Sequence, residues 1–111
     1  MNDLLKDATA TSLLAKLDAG EVTSEDVVRG YLDRAQALKR LNVFVHLDPE
    51  TALDQARAVD ADRKAGRPVG ALAGVPVAIK DVLCVEGEPT TCGSRMLKNV
   101  RPPYDATVIG K

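Results

Sequence analysis

Aromatic side chains are scarce in these 111 residues: there is no tryptophan, and only Tyr31, Phe44 and Tyr104 carry rings. A surface that grips nucleic acid combines a basic stripe with stacking rings, and neither half of the chain offers one. Residues 1–66 hold nine basic against twelve acidic side chains and residues 67–111 six against four, with the two signs interleaved. Direct grip on nucleic acid by this segment is therefore not expected. Histidine is scarcer still, His46 alone. With only two cysteines besides, Cys84 and Cys92, the donor set is too small for a zinc site of the usual spacing, so no metal ligand is assigned. Both cysteines read as free thiols, which suits a reducing cytosol. Long apolar runs are missing too. The stretch Met1-Asn2-Asp3-Leu4-Leu5-Lys6-Asp7 is broken by charge and reads as neither a secretory leader nor a membrane span, so a cytoplasmic location is the expectation. Gly70, Gly87 and Gly93 are too scattered to cradle a phosphate, and no cofactor-binding residue is assigned.

What is present is ordinary globular material, 45% hydrophobic and 28% charged. Fifteen residues are alanine, however, so the area available for burial is smaller than that fraction suggests. A thin core of this kind suits a piece that packs against further helix and sheet.

Residues 1–66 read as a helical region with one short strand. Leu13, Leu14 and Leu17 share a helical face that Gly20 can close. Thr23 is a plausible N-cap with Asp26 three residues on, a weaker capping box. The helix that follows runs to about Leu38 on an apolar stripe of Val27, Val28, Tyr31, Leu32, Ala35 and Leu38. Leu41, Val43, Val45 and Leu47 alternate with Asn42, Phe44 and His46, which predicts a strand over 42–47. Asp48-Pro49-Glu50 then opens a third helix, with Ala52, Leu53, Ala56 and Val59 on its buried side and Gly66 at its end. Three glycines and two prolines in 66–76 mark a loop and a boundary. Residues 67–111 read as the start of a core: a strand over 77–80, a possible strand over 82–85, a turn over 86–89 and a helix-like start over 105–111. Because that last element stops at Lys111, the chain is expected to be a truncated piece.

The chemistry concentrates in the second part. Gly74-Val75-Pro76-Val77-Ala78-Ile79-Lys80-Asp81 is an apolar run ending on an amine. Desolvation disfavours an ammonium ion and can bring a lysine to where its free amine takes a proton from a hydroxyl, the profile of a general base. A lysine also ends many strands because the strand has reached water and the stem can lie on apolar surface. The residues alone leave both readings open. Asp81 would point to the opposite face of a continuing strand and so would not hold Lys80 protonated. Thr90, Thr91, Cys92 and Ser94 crowd four hydroxyl or thiol groups into five residues. They read as a glycine-containing turn whose hydroxyls cap a short helix, in preference to a local hydrolase site. A Cys92–His46 thiol dyad lacks an orienting third group, and His46 reads as an ordinary strand histidine.

Three segments, Gly70-Ala71-Leu72-Ala73-Gly74-Val75-Pro76-Val77-Ala78-Ile79-Lys80-Asp81, then Gly87-Glu88-Pro89-Thr90-Thr91-Cys92-Gly93-Ser94, then Pro102-Pro103-Tyr104-Asp105-Ala106-Thr107, in this order and spacing, resemble the amidase signature family. Within it they look most like the glutamine-hydrolysing branch. The resemblance implies an α/β fold in which helices flank a large mixed β-sheet, here cut to the leading helices and first core strands. It also implies a Ser–cis-Ser–Lys triad, in which Lys80 matches the lysine that acts as base. Both serines belong to a glycine- and serine-rich segment that these residues do not contain, so the chain alone is expected to be inactive. Where the family often has asparagine, Val82 stands here. The same resemblance implies glutamine as substrate and an amidotransferase complex that includes B and C subunits. The B subunit would use ATP and Mg2+ to activate glutamate on tRNA, so those ligands would reach this chain only through it. Two rivals remain: a stand-alone amidase acting on another carboxamide, and a non-catalytic helical interaction module.

Overall fold

The structure is a computed structural model that describes residues 5–111. Residues 1–4, part of the stretch expected to be no leader, lie outside the described residues. The chain divides into two compact units, Met1–Pro76 and Val77–Lys111.

The first unit is built from three helices, α1 (Ala10–Asp18), α2 (Ser24–Ala37) and α3 (Pro49–Lys64), with a 3-10 turn at Lys39–Leu41. Each starts where a side chain satisfies backbone N–H groups that no earlier turn can reach. Thr9 caps α1, and Ser12 answers it in a reciprocal box. Thr23 and Asp26 do the same for α2, as their spacing predicts. Asp48 accepts from the Thr51 amide at 3.2 Å, with Pro49 opening α3. Helices α1 and α3 end alike. Gly20 and Gly66, both at φ 71°, turn the chain so that Glu21 N–H reaches Lys16 and Arg67 N–H reaches Asp62, each at 2.9 Å. Glycine suits that left-handed position because it has no Cβ to clash.

Leu13 and Leu17 from α1 and Val27 from α2 form the buried centre, with Ala8, Val22, Tyr31 and Val75 packed against it. Gly74 closes over this centre: a Cβ there would sit 2.4 Å from Ser24 Oγ and 3.1 Å from Leu17 Cδ1. The glycine is thus demanded by close approach as well as by its φ of 90°. Helices α2 and α3 are joined by a contact that the sequence pattern does not announce. Asp60 on α3 accepts from the amides of Ser24 at 2.7 Å and Glu25 at 3.0 Å, placing a carboxylate on the positive end of α2. Glu25 in turn pairs with Arg57 of α3 at 3.0 Å and with Arg29 at 2.6 Å, and both guanidinium groups hold its carboxyl below the usual range, Arg57 foremost.

The second unit contains one short 3-10 turn, Arg95–Leu97, and otherwise folds back on itself through irregular backbone. Its ties are long-range hydrogen bonds: Gly87 N–H to Pro102 O at 3.0 Å, Thr90 N–H to Val100 O at 3.4 Å, and Ala106 N–H to Cys84 O at 2.8 Å. The Asp105 carboxylate accepts from the Glu86 amide at 2.7 Å, and Arg101 donates to Gly87 O at 2.6 Å.

No strand occurs among the described residues, which corrects the expectation at 42–47, 77–80 and 82–85. The alternation is in the sequence, but a strand is defined by the ladder it makes with a neighbour, and no described segment supplies one. Many apolar side chains of these stretches face solvent instead, Val45 being 75% exposed and Val77 64%, while Leu83 and Val85 are half-buried. Likewise 105–111 forms turns and not a helix, with Ile109 N–H reaching Ala106 O at 2.9 Å. No described helix is long and apolar enough to cross a membrane.

Candidate active site around Lys80

Lys80 ends the apolar run as the sequence implies, but its surroundings differ from the expectation. The residue is exposed, and its neighbours Ile79 and Val82 are 43% and 52% exposed. The desolvation that makes a lysine a good base is therefore not supplied by the described residues. Its backbone is well fixed all the same. Lys80 O accepts from Leu83 N–H at 3.0 Å, closing a tight turn directly after the amine-bearing residue.

Asp81 is the best-connected group in this region. One carboxylate oxygen accepts from the Thr91 amide at 2.8 Å, the other accepts a short hydrogen bond from the Thr91 hydroxyl, and the Asp81 carbonyl accepts from Cys92 N–H at 3.0 Å. The Thr91 hydroxyl, then its amide, and more weakly the Gly93 N–H hold the Asp81 carboxyl below the usual aspartate range, against the opposing effect of burial. Asp81 is thus committed to the Thr91 loop, by a turn and not by the alternation of a strand.

The loop that receives Asp81 turns sharply. Cys92 and Gly93 lie consecutively at φ 51° and 71°, a region open to glycine and disfavoured for a residue with a Cβ. Gly93 N–H meets the Thr91 hydroxyl at 3.2 Å, and Ser94 Oγ accepts from Met96 N–H at 3.2 Å. The four clustered side chains at Thr90, Thr91, Cys92 and Ser94 thus include two turn-forming hydroxyls, in line with the capping reading. Cys84 and Cys92 are both free thiols. His46 lies on the exposed stretch 42–47 of the first unit and Cys92 belongs to the second.

Lys80 and the Thr91–Ser94 loop are brought together through Asp81, a link sequence reasoning missed. Ten residues separate the partners, and neither spacing nor residue type announces a pair at that distance. Gly74 and Asp60 were missed for the same reason. In the first unit a largely apolar cleft of about 490 Å³ is lined by Tyr31, Leu38, Leu41, Val43, Phe44 and Leu47, with Arg34 and Lys39 among its polar members. Among the described residues no three of His, Cys, Asp and Glu converge as a cation site.

Comparison with known proteins places these features. The chain is 52% identical over 104 residues to the A subunit of glutamyl-tRNA(Gln) amidotransferase from Rhodopirellula baltica, covering 93% of this chain and 21% of that protein. It is 51% identical over 110 residues to the corresponding protein of Salinispora arenicola, covering 98% and 22%, and 48% identical over 109 residues to that of Streptomyces coelicolor, covering 97% and 22%. The chain thus spans about a fifth of the length of the curated relatives it matches. A solved structure reported under the words "An unexpected vestigial protein complex reveals the evolutionary origins of an s-triazine catabolic enzyme" superposes with a TM-score of 0.85 at 27% identity, over 93% of this chain and 23% of that one. An inhibitor-bound form of the same complex matches equally well. The family model for Amidase fits residues 26–111, from Asp26 in the first turn of α2 to Lys111. With Lys80 and its Asp81-anchored loop inside that span, this chain belongs to the amidase family.

Proposed function

We propose that this chain is the leading part of the glutamine-hydrolysing subunit of an amidotransferase, in which Lys80 is the general base. The observation that carries the reading is identity of about 50% with amidotransferase A subunits across nearly the whole chain. In the complete protein the stretches 42–47, 77–80 and 82–85 become strands of a mixed sheet that the helices flank. Their exposed apolar side chains support this, since a sheet face would cover them. Covering the run beside Lys80 also supplies the desolvation that the described residues lack.

The reaction follows from an amine placed beside hydroxyls carried elsewhere in the protein. The free amine of Lys80 takes a proton from a bridging serine, which relays it from a second serine that attacks the side-chain amide of glutamine. The C–N bond breaks, ammonia leaves with a proton returned through the same relay, and water releases glutamate from the acyl-serine. Ammonia then passes to the B subunit, which activates glutamate esterified to tRNA with ATP and Mg2+, and the C subunit completes the complex. ATP and Mg2+ belong to that B partner. A cytoplasmic location goes with that role. The 111 residues alone, with a base and no paired serines, are inactive.

The test is Lys80→Ala and Lys80→Arg in the full-length protein. Both lower glutamine hydrolysis by about 10²–10⁴-fold with thermal stability unchanged, because arginine stays protonated near neutral pH. Retained turnover in Lys80→Arg removes the assignment. Measuring hydrolysis with and without the B and C partners separates the amidotransferase from a stand-alone amidase. Indifference to the partners, together with a preference for another carboxamide, selects the latter.

A further inference from the structure

We propose that Asp81 and Thr91 form a clamp that positions Lys80, which makes both of them positioning residues for proton transfer at its amine. This deepens the reading of Lys80 as base and rests on it. Three successive backbone N–H groups are turned toward one aspartate or its hydroxyl partner. Thr91 N–H meets a carboxylate oxygen at 2.8 Å, Cys92 N–H meets the Asp81 carbonyl at 3.0 Å, and Gly93 N–H meets the Thr91 hydroxyl that itself donates to the carboxylate. The backbone adopts left-handed φ angles at Cys92 and Gly93 to achieve this. A non-glycine residue held there signals a loop whose geometry is imposed by its contacts. Residue 81 is therefore anchored through both its side chain and its carbonyl, while residue 80 is tied by its own carbonyl to Leu83. The chain is thus anchored directly after the Lys80 Cα, through the Lys80 carbonyl and through residue 81, which narrows the range of positions from which the lysine side chain starts. Proton transfer depends on a donor–acceptor distance of about 3 Å, so a base whose anchor is released misses its partner hydroxyl more often while substrate still binds.

The experiment uses the full-length protein with its partner subunits and measures kcat and KM for glutamine, normalised to folded protein by near-ultraviolet circular dichroism. Thr91→Val, which keeps shape and removes the hydroxyl, is expected to lower kcat about 10- to 100-fold with KM changed by less than about threefold. Thr91→Ser restores kcat to within about threefold of the parent. Asp81→Ala falls at least as far as Thr91→Val, and the double variant falls no further than Asp81→Ala, since the pair acts as one unit. If Asp81→Ala does not fold, Thr91→Val and Thr91→Ser carry the test alone. Parental kcat in Thr91→Val, or a loss that vanishes on normalisation to folded protein, overturns the clamp. Lys80→Ala is run in parallel: if it is inactive while Thr91→Val is fully active, only the clamp falls, and if it keeps its turnover, the base assignment falls first.

Discussion

The two units of this chain are held together by different means. The helical unit has an apolar centre in which Leu17 is 1% exposed and Val27 fully buried, sealed by capped helix ends. The unit from Val77 onward contributes no hydrophobic residue to the buried core; Leu83, Leu97 and Ile109 are half-buried, and several other large apolar side chains face water, with Met96 92% exposed. Its shape rests on hydrogen bonds from carboxylates and carbonyls to loop amides. The contrast teaches that helices carry most of their requirements within a few residues, whereas an alternating apolar segment without a neighbour to pair with shows its sequence pattern and forms no strand.

Three measurements can break or sharpen this contrast. The largest effect is expected from Leu17→Ala, which leaves a cavity at the centre of the helical unit and costs about 2–5 kcal/mol, measured by chemical denaturation of the full-length protein. The same truncation at exposed Met96 is expected to change stability by less than about 0.5 kcal/mol. Equal losses would mean that the second unit has a core of its own. Next comes Gly74→Ala, which forces a Cβ against Ser24 and adds left-handed strain, a cost of about 1–3 kcal/mol. Gly66→Ala, at a similar positive φ but with nothing within 4 Å, serves as its control. Should the two destabilise equally, the close approach to Ser24 contributes nothing. The smallest effect is the response to acid. The Thr91 hydroxyl depresses the Asp81 carboxyl, as the Thr23 hydroxyl depresses that of Asp26 and the Thr51 hydroxyl that of Asp48. A carboxyl whose folded value lies below its unfolded one adds stability that is complete above the unfolded value. That stability is lost as pH falls from about 4 through the folded value. Nuclear magnetic resonance between about pH 6 and pH 2 is expected to show the Thr91 amide losing its folded shift before Leu17 does. Simultaneous loss would contradict the idea that polar anchors alone hold the second unit.

The same division explains what could be read from the chain. Thr23 with Asp26, Asp48 with Pro49, and the closing glycines Gly20 and Gly66 are separated by no more than a turn or so from what they cap, so the order of residues displays them. Thr9 and Ser12 follow the same rule and were open to the same reasoning. Asp60 lies 36 residues from the Ser24 amide it accepts from, and Asp81 ten residues from Thr91. Such contacts depend on how the chain folds back, which no local pattern states. The strands at 42–47 and 77–80 fail for a related reason. Alternation in Val43, Val45 and Leu47 records which face is to be covered, but it cannot make the covering partner appear. Lys80 was legible as a reactive candidate from the apolar run before it, while the burial that would tune it is not supplied by the described residues.

The uncovered stretches have a consequence during synthesis. A ribosome adds roughly 5–20 residues per second, so Val43 and Val45 have been exposed for about 2–7 s by the time Val77 and Ile79 are made. Sticky nascent segments of this kind invite chaperone capture or premature pairing with a neighbouring polypeptide. Charges stand at their borders, Lys39 and Arg40 before the first, Asp48 and Glu50 after it, and Lys80 and Asp81 closing the second. Flanking charge of this sort acts as a gatekeeper against aggregation, which gives the pair at 80 and 81 a duty in biogenesis.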